Sequence, residues 1–181
     1  MRQRPAAMRS VAQALREMDN LRAALVWSLE NNEVTMALEI ASFLQSIWLG
    51  QGRIREGLAW IDAALAADGT READSAAARV RALADKALLD SWYGSLDVPD
   101  LGAIQGALTT ARESGDQALL IRALVASGCV VLYDADAAAP YFAEAARLAR
   151  DLGDWWRLSQ VLQRQSYAAM FAAGDLTARC R

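Results

Sequence analysis

Residues 20–65 read NLRAALVWSLENNEVTMALEIASFLQSIWLGQGRIREGLAWIDAAL, and this stretch decides the fold class. Its apolar residues recur every three or four positions, which marks one face of a helix. Val11, Leu15, Met18, Leu21, Leu25 and Leu29 predict a first helix over 10–30, stopped by Asn31-Asn32. Ala37, Ala41, Leu44 and Trp48 predict a second over 33–49, ended by Gly50 and Gly52. Ile54, Leu58, Ile61 and Leu65 predict a third over 53–67, with Gly57, Trp60 and Ala64 as a second stripe. Gly57 lets a neighbouring helix approach closely.

The rest of the chain repeats this theme. Helices are predicted over 72–93, from Pro99 to Ser114, over 116–133, over 137–152 and over 154–173. Residues 1–10 form a loose lead-in, and 68–74 a polar joint. Pro140 is placed in a first turn, where a missing N–H costs little. Val130-Val131-Leu132-Tyr133 has strand-like composition but is read as helix, since nothing nearby supplies a sheet. Gly174-Asp175 opens a ninth helix, over 175–181, that the chain leaves unfinished.

The joints recur. WYGSLD, VLYDAD and FAAGD end at Asp97, Asp136 and Asp175, 39 residues apart each time, while ARESGD and ARDLGD end at Asp116 and Asp154, 38 apart. Glycine caps one helix and aspartate starts the next. Helix pairs at this period are the signature of tetratricopeptide-like solenoids. ALTTARES and EAARLARD resemble the second helix of such a unit. The expectation is an all-α chain of about eight helices, a right-handed superhelix of antiparallel pairs forming one domain over 1–181. A stacked array needs a polar terminal cap. Residues 175–181 are too short for one, so the natural chain is expected to continue.

Composition narrows the function. Of 181 residues, 54% are hydrophobic, with three prolines and eleven glycines, a balance that favours helix. The net charge of −3 argues against a nucleic-acid face. Lys86 is the only lysine, an arginine bias typical of GC-rich genomes. Without histidine, the commonest general base and metal ligand are missing. Cys129 and Cys180 cannot make a zinc site alone and fit a reducing, cytoplasmic compartment; Cys129 reads as buried filler. No uninterrupted apolar run reaches membrane-spanning length, and the basic residues 1–10 lack the apolar core of a secretory signal. No cofactor motif is present.

DNLRAALVWSLE, Trp48 and GRIREGLAWIDAAL resemble a segment of actinobacterial regulators that join a STAND-class P-loop ATPase to a helical-repeat arm, many ending in a LuxR-type helix-turn-helix. Asn20, Leu21, Arg22, Ala23, Ala24 and Leu25 match the first helix of that segment. Gly52, Arg53, Glu56, Gly57 and Trp60 match its G-R-x-x-E-G-x-x-W helix. The resemblance covers about 45 residues specifically. No GxxxxGK[ST] occurs, so ATPase activity does not carry over, and neither does DNA binding. What the resemblance implies is a non-catalytic arm that senses a partner and signals to an ATPase module elsewhere.

Candidate partner-binding residues are Asn20, Arg22, Trp48, Arg53, Trp60, Arg122 and Trp155. Arg53 and Glu56 also fit a local ion pair, Arg122 an ion pair with an aspartate of a neighbouring helix, and Trp27, Trp48 and Trp60 a packed cluster. Trp155 and Trp156 point about 100° apart, so one of them should be exposed. The expected partner is a protein or peptide, the regulator's own ATPase module, or a second copy in a homodimer. Two other readings stand beside this one. One is a small-molecule sensor with a pocket near Trp92, Tyr93, Arg122 and Tyr133. The other is a free-standing helical adaptor.

Overall fold

Every regular element among the described residues is helical. The computed structural model describes residues 13, 15–67, 75–93 and 101–179, with side chains described to Phe171. The helices are α1 Met18–Glu30, α2 Val34–Phe43, α3 Gln45–Gly50, α4 Ile54–Ala67, α5 Ala76–Tyr93, α6 Leu101–Ser114, α7 Gln117–Val130, α8 Ala135–Leu152 and α9 Trp155–Arg179. None of these is long and apolar enough to cross a membrane. The chain divides into two units, Met1–Ala82 and Leu83–Arg181. The lead-in, Val11, the joint at 68–74, Pro99, the joint ending at Asp97, and Cys180 lie outside the described residues.

In the first unit α1 packs on α2, and both α2 and α3 pack on α4. The core holds Leu25, Leu38, Ala41, Leu44, Ile47, Trp48, Ile61 and Ala64. Gly57 does permit close approach: a Cβ there would lie 2.5 Å from Trp48 Cδ1. Asn32 ends the first turn region at φ 60°, a conformation asparagine tolerates better than most residues. The helix expected over 33–49 is two helices. Leu44 breaks it at ψ −2°, flattened from the helical value. Ile47 and Trp48, beyond the break, are both buried.

In the second unit α6 packs on α7, α7 on α8 and α8 on α9. Short turns between packed helices reverse the chain each time. Gly115 and Gly153 close α6 and α8 at φ 69° and 68°. Asp116 then caps α7 by accepting from Ala118 N and Leu119 N, at 2.9 and 3.1 Å. Asp154 caps α9 by accepting from Arg157 N at 3.0 Å. Phe142 of α8 seats on Gly128 of α7, where a Cβ would come within 2.5 Å of its ring.

Three boundaries differ from expectation. First, α7 ends at Val130, and the Val131–Tyr133 stretch is a turn that leads to the cap at Asp134. Second, Asp134 accepts from Ala137 N, so α8 starts early and Pro140 falls in its second turn. Both Pro140 and Asp136 are exposed, so water can satisfy the Asp136 carbonyl that the proline leaves without a donor. Third, α9 runs through Gly174-Asp175 to Arg179 without a break. An interior glycine costs a helix only about 1 kcal/mol.

Candidate functional site

In the first unit the motif residues of α1 and α4 meet. Arg22 donates to Glu56 Oε1 from Nε at 3.1 Å and from Nη2 at 3.0 Å. Its Nη1 also donates to Asp19 Oδ1 at 2.7 Å. Arg53 pairs with the other oxygen of Glu56. One carboxylate thus holds two guanidinium groups, one local and one from 34 residues earlier. The hydrogen bond from Arg22 to Glu56 is the chief cause of the raised Arg22 pKa. The local Arg53–Glu56 pair follows from their spacing. The pairing with Arg22 does not, because separation in sequence carries no sign of it.

Trp48 meets Trp60 edge to face at 5.2 Å between ring centroids, and Arg53 lies 5.9 Å from the Trp48 ring. Trp48 is fully buried, so its position among the contact candidates is corrected: it packs the core and no partner can reach it. Trp27 does not join the cluster and is 52% exposed. Asn20 is exposed and donates to Glu17 Oε2 at 2.5 Å. Of the candidate contact residues here, Asn20 is exposed and Arg22, Arg53 and Trp60 are partly exposed.

In the second unit Arg122 Nη1 meets both oxygens of Asp85, at 2.8 and 2.5 Å, which is the ion pair with an aspartate of another helix. Arg157 lies beside it. Burial and then the nearby Arg122 charge pull its pKa below the ordinary value. Arg157 Nε lies 2.9 Å from Asp154 Oδ2, close enough to pair but not aligned for a hydrogen bond. These groups and Gln160 line a cavity of about 20 Å³ together with Ala84, Leu88, Ile121 and Val125. That volume holds about one water.

The aromatic residues expected around Arg122 are elsewhere. Trp92 stacks on Arg164, 3.9 Å from guanidinium carbon to ring centroid, and Tyr167 covers the same guanidinium at 4.7 Å. Tyr133 packs edge to face on Phe171, at 4.7 Å. The buried Arg164 was not singled out in the sequence, where it is one arginine among polar neighbours. It is 1% exposed, and its Nη1 donates to Ser91 Oγ at 3.3 Å, while among the described residues it meets no carboxylate and Nε and Nη2 have no acceptor. The two aromatic faces offset part of the cost of burying the charge.

Trp155 and Trp156, of which one was expected to be exposed, are both exposed, at 70% and 57%. Both precede the first buried position of α9, Leu158. No group of three or more Cys, Asp or Glu residues that could hold a metal ion occurs among the described residues.

No protein-family description and no solved structure matches the chain. It is similar to three curated proteins, each named "Putative HTH-type transcriptional regulator", one from Mycobacterium bovis and two from strains of Mycobacterium tuberculosis. Each is 51% identical over 160 residues, a match that takes in 85% of this chain and 18% of the relative. The chain therefore spans about a fifth of the length of the regulators it resembles.

Proposed function

We propose that this chain is a non-catalytic interaction arm of a LuxR-type STAND transcriptional regulator. In this reading its helix pairs form a right-handed tetratricopeptide-like superhelix, and the arm couples partner binding to ATPase and DNA-binding modules elsewhere in a longer cytoplasmic protein. One observation carries the reading: the 51% identity over 160 residues to proteins named as transcriptional regulators. It is supported by helices whose exposed residues include the aromatics Trp27, Phe43, Trp155 and Trp156, a type enriched at protein interfaces. The small-molecule reading would need a chamber of several hundred Å³. The cavity at Arg122 is about 20 Å³ and has no aromatic lining.

The test is made in a full-length mycobacterial relative. Disrupting the Arg22–Glu56 pair by the change equivalent to Arg22→Ala should abolish the transcriptional response and leave operator binding by the separated DNA-binding module intact. An unchanged response after deletion of the whole matched segment would refute the arm.

A further inference from the structure

We propose that the outer face of α9 is a docking surface for an alanine-rich amphipathic helix of the kind α8 presents, with a small residue at its centre. The inference stands on the repeat register and does not depend on the regulator reading.

The caps Asp116 and Asp154 set α7 and α9 in register, and Gly115 and Gly153 precede them in the same left-handed conformation. With the caps aligned, Ile121, Leu124 and Gly128 of α7 correspond to Ser159, Leu162 and Ser166 of α9. In α7 this stripe is buried and meets α8 at Gly128, where Phe142 sits directly on it; Leu124 is 0% exposed, and Ile121 also lines the cavity beside Arg122. In α9 the same stripe is bare. Leu162 is 41% exposed, and Ser159 and Ser166 are exposed, as are Trp155 and Met170 along the same side.

The composition of the face fits this use. Trp155, Ser159, Leu162, Gln163, Ser166 and Met170 carry no charge. Small serines between large apolar residues form the shallow holes into which a helix ridge fits. The contact would continue the packing already present between α7 and α8. One difference sets the choice of occupant. A Cβ at Gly128 would lie 2.5 Å from the Phe142 ring, and Ser166 has that Cβ and a hydroxyl besides. An α8-type helix in this register must therefore carry a small side chain where α8 has Phe142. The complement of α8 on this face is thus alanine-rich throughout.

The probes are two helix-stapled peptides of the α8 sequence, Ala135–Leu152, one unchanged and one with Phe142→Ala. Each is titrated calorimetrically into the full chain. The Phe142→Ala peptide should bind at least about tenfold more tightly than the unchanged one, and Leu162→Asp in the chain should weaken it by at least about tenfold. Ser166→Trp, at an exposed position, should do the same and serves where Leu162→Asp disturbs folding. A generic sticky surface would prefer the phenylalanine peptide, and that result would overturn the proposal. So would a titration with no heat up to about 1 mM, or binding indifferent to both substitutions. If sedimentation instead shows copies pairing through this face, and peptide does not separate them, the occupant is a second copy and the proposal fails.

Discussion

At Arg122 a single side chain shows how burial turns sequence into a constraint. A guanidinium in a nearly all-apolar helix needs an acid, and the fold supplies Asp85, whose side chain is 5% exposed. Removing one partner of a buried pair leaves the other charge uncompensated, here with Arg157 adding repulsion. Asp85→Ala should cost about 3 kcal/mol in denaturant unfolding, and Asp85→Leu combined with Arg122→Met should recover most of it. A cost below about 1 kcal/mol for the single change would show the pair to be solvated. Cys129 is buried as its apolar run suggested, and that burial pushes its thiol pKa from 9.0 to about 11. Between these values the unfolded chain loses the proton first, so native stability falls as pH rises from 9.0 to about 11, by about 3 kcal/mol in all. The Cys129→Ala protein should lack this part of the pH slope in urea titrations, and an identical slope in both proteins would contradict the burial. The need for an acid near Arg122 was legible in the sequence. The Trp92–Arg164–Tyr167 stack was not, because Trp92 comes from another helix far earlier in the chain, and the three-residue spacing of Arg164 and Tyr167 gives no sign of it.

The elements were legible wherever the apolar period was clean and a capping residue stood at the joint. Gly115-Asp116 and Gly153-Asp154 locate the starts of α7 and α9 to within a residue, since glycine at positive φ and an aspartate cap are local chemistry. Breaks without such chemistry were missed. Leu44 is an ordinary helix former, and nothing about the residue marks the bend there. At Gly174 the signal misled in the other direction: a glycine within a helix looks the same in sequence as one that ends it. Gly128 is the informative interior glycine, because its missing Cβ is the seat of Phe142. Gly128→Ala gains up to about 1 kcal/mol of helix propensity but forces the ring off its position, which costs about 1–3 kcal/mol. The net effect should be a loss of about 1 kcal/mol, and pairing the change with Phe142→Leu should reduce it. Calorimetric Tm values of the three proteins measure this. A Gly128→Ala protein more stable than the parent would show that the α7–α8 contact is loose enough to absorb a methyl.

For the molecule as a whole, the expectation that this chain makes no nucleic-acid contact rests on its pattern of charge. Phosphate binding needs free, clustered cations that displace counterions. Here the net charge is −3. Arg22, Arg53, Arg81, Arg112, Arg122, Arg147 and Arg157 each already lie within ion-pair distance of a carboxylate. Turning any of these toward a phosphate would break an existing pair and leave its carboxylate facing the same backbone. Arg164 is enclosed by Trp92 and Tyr167 and is out of reach. Fluorescence anisotropy with a labelled 30-bp duplex at about 0.1 M salt should therefore show no binding tighter than the weak end of non-specific association, about 10⁻⁴ M, and no steep salt dependence. The same assay on a full-length relative reports the contribution of the remaining four-fifths of its chain. Affinity in the micromolar range for this chain alone, falling steeply with salt, would require a cationic surface built from arginines outside these pairs, and would count against the proposed protein-sensing arm in favour of direct contact with the operator.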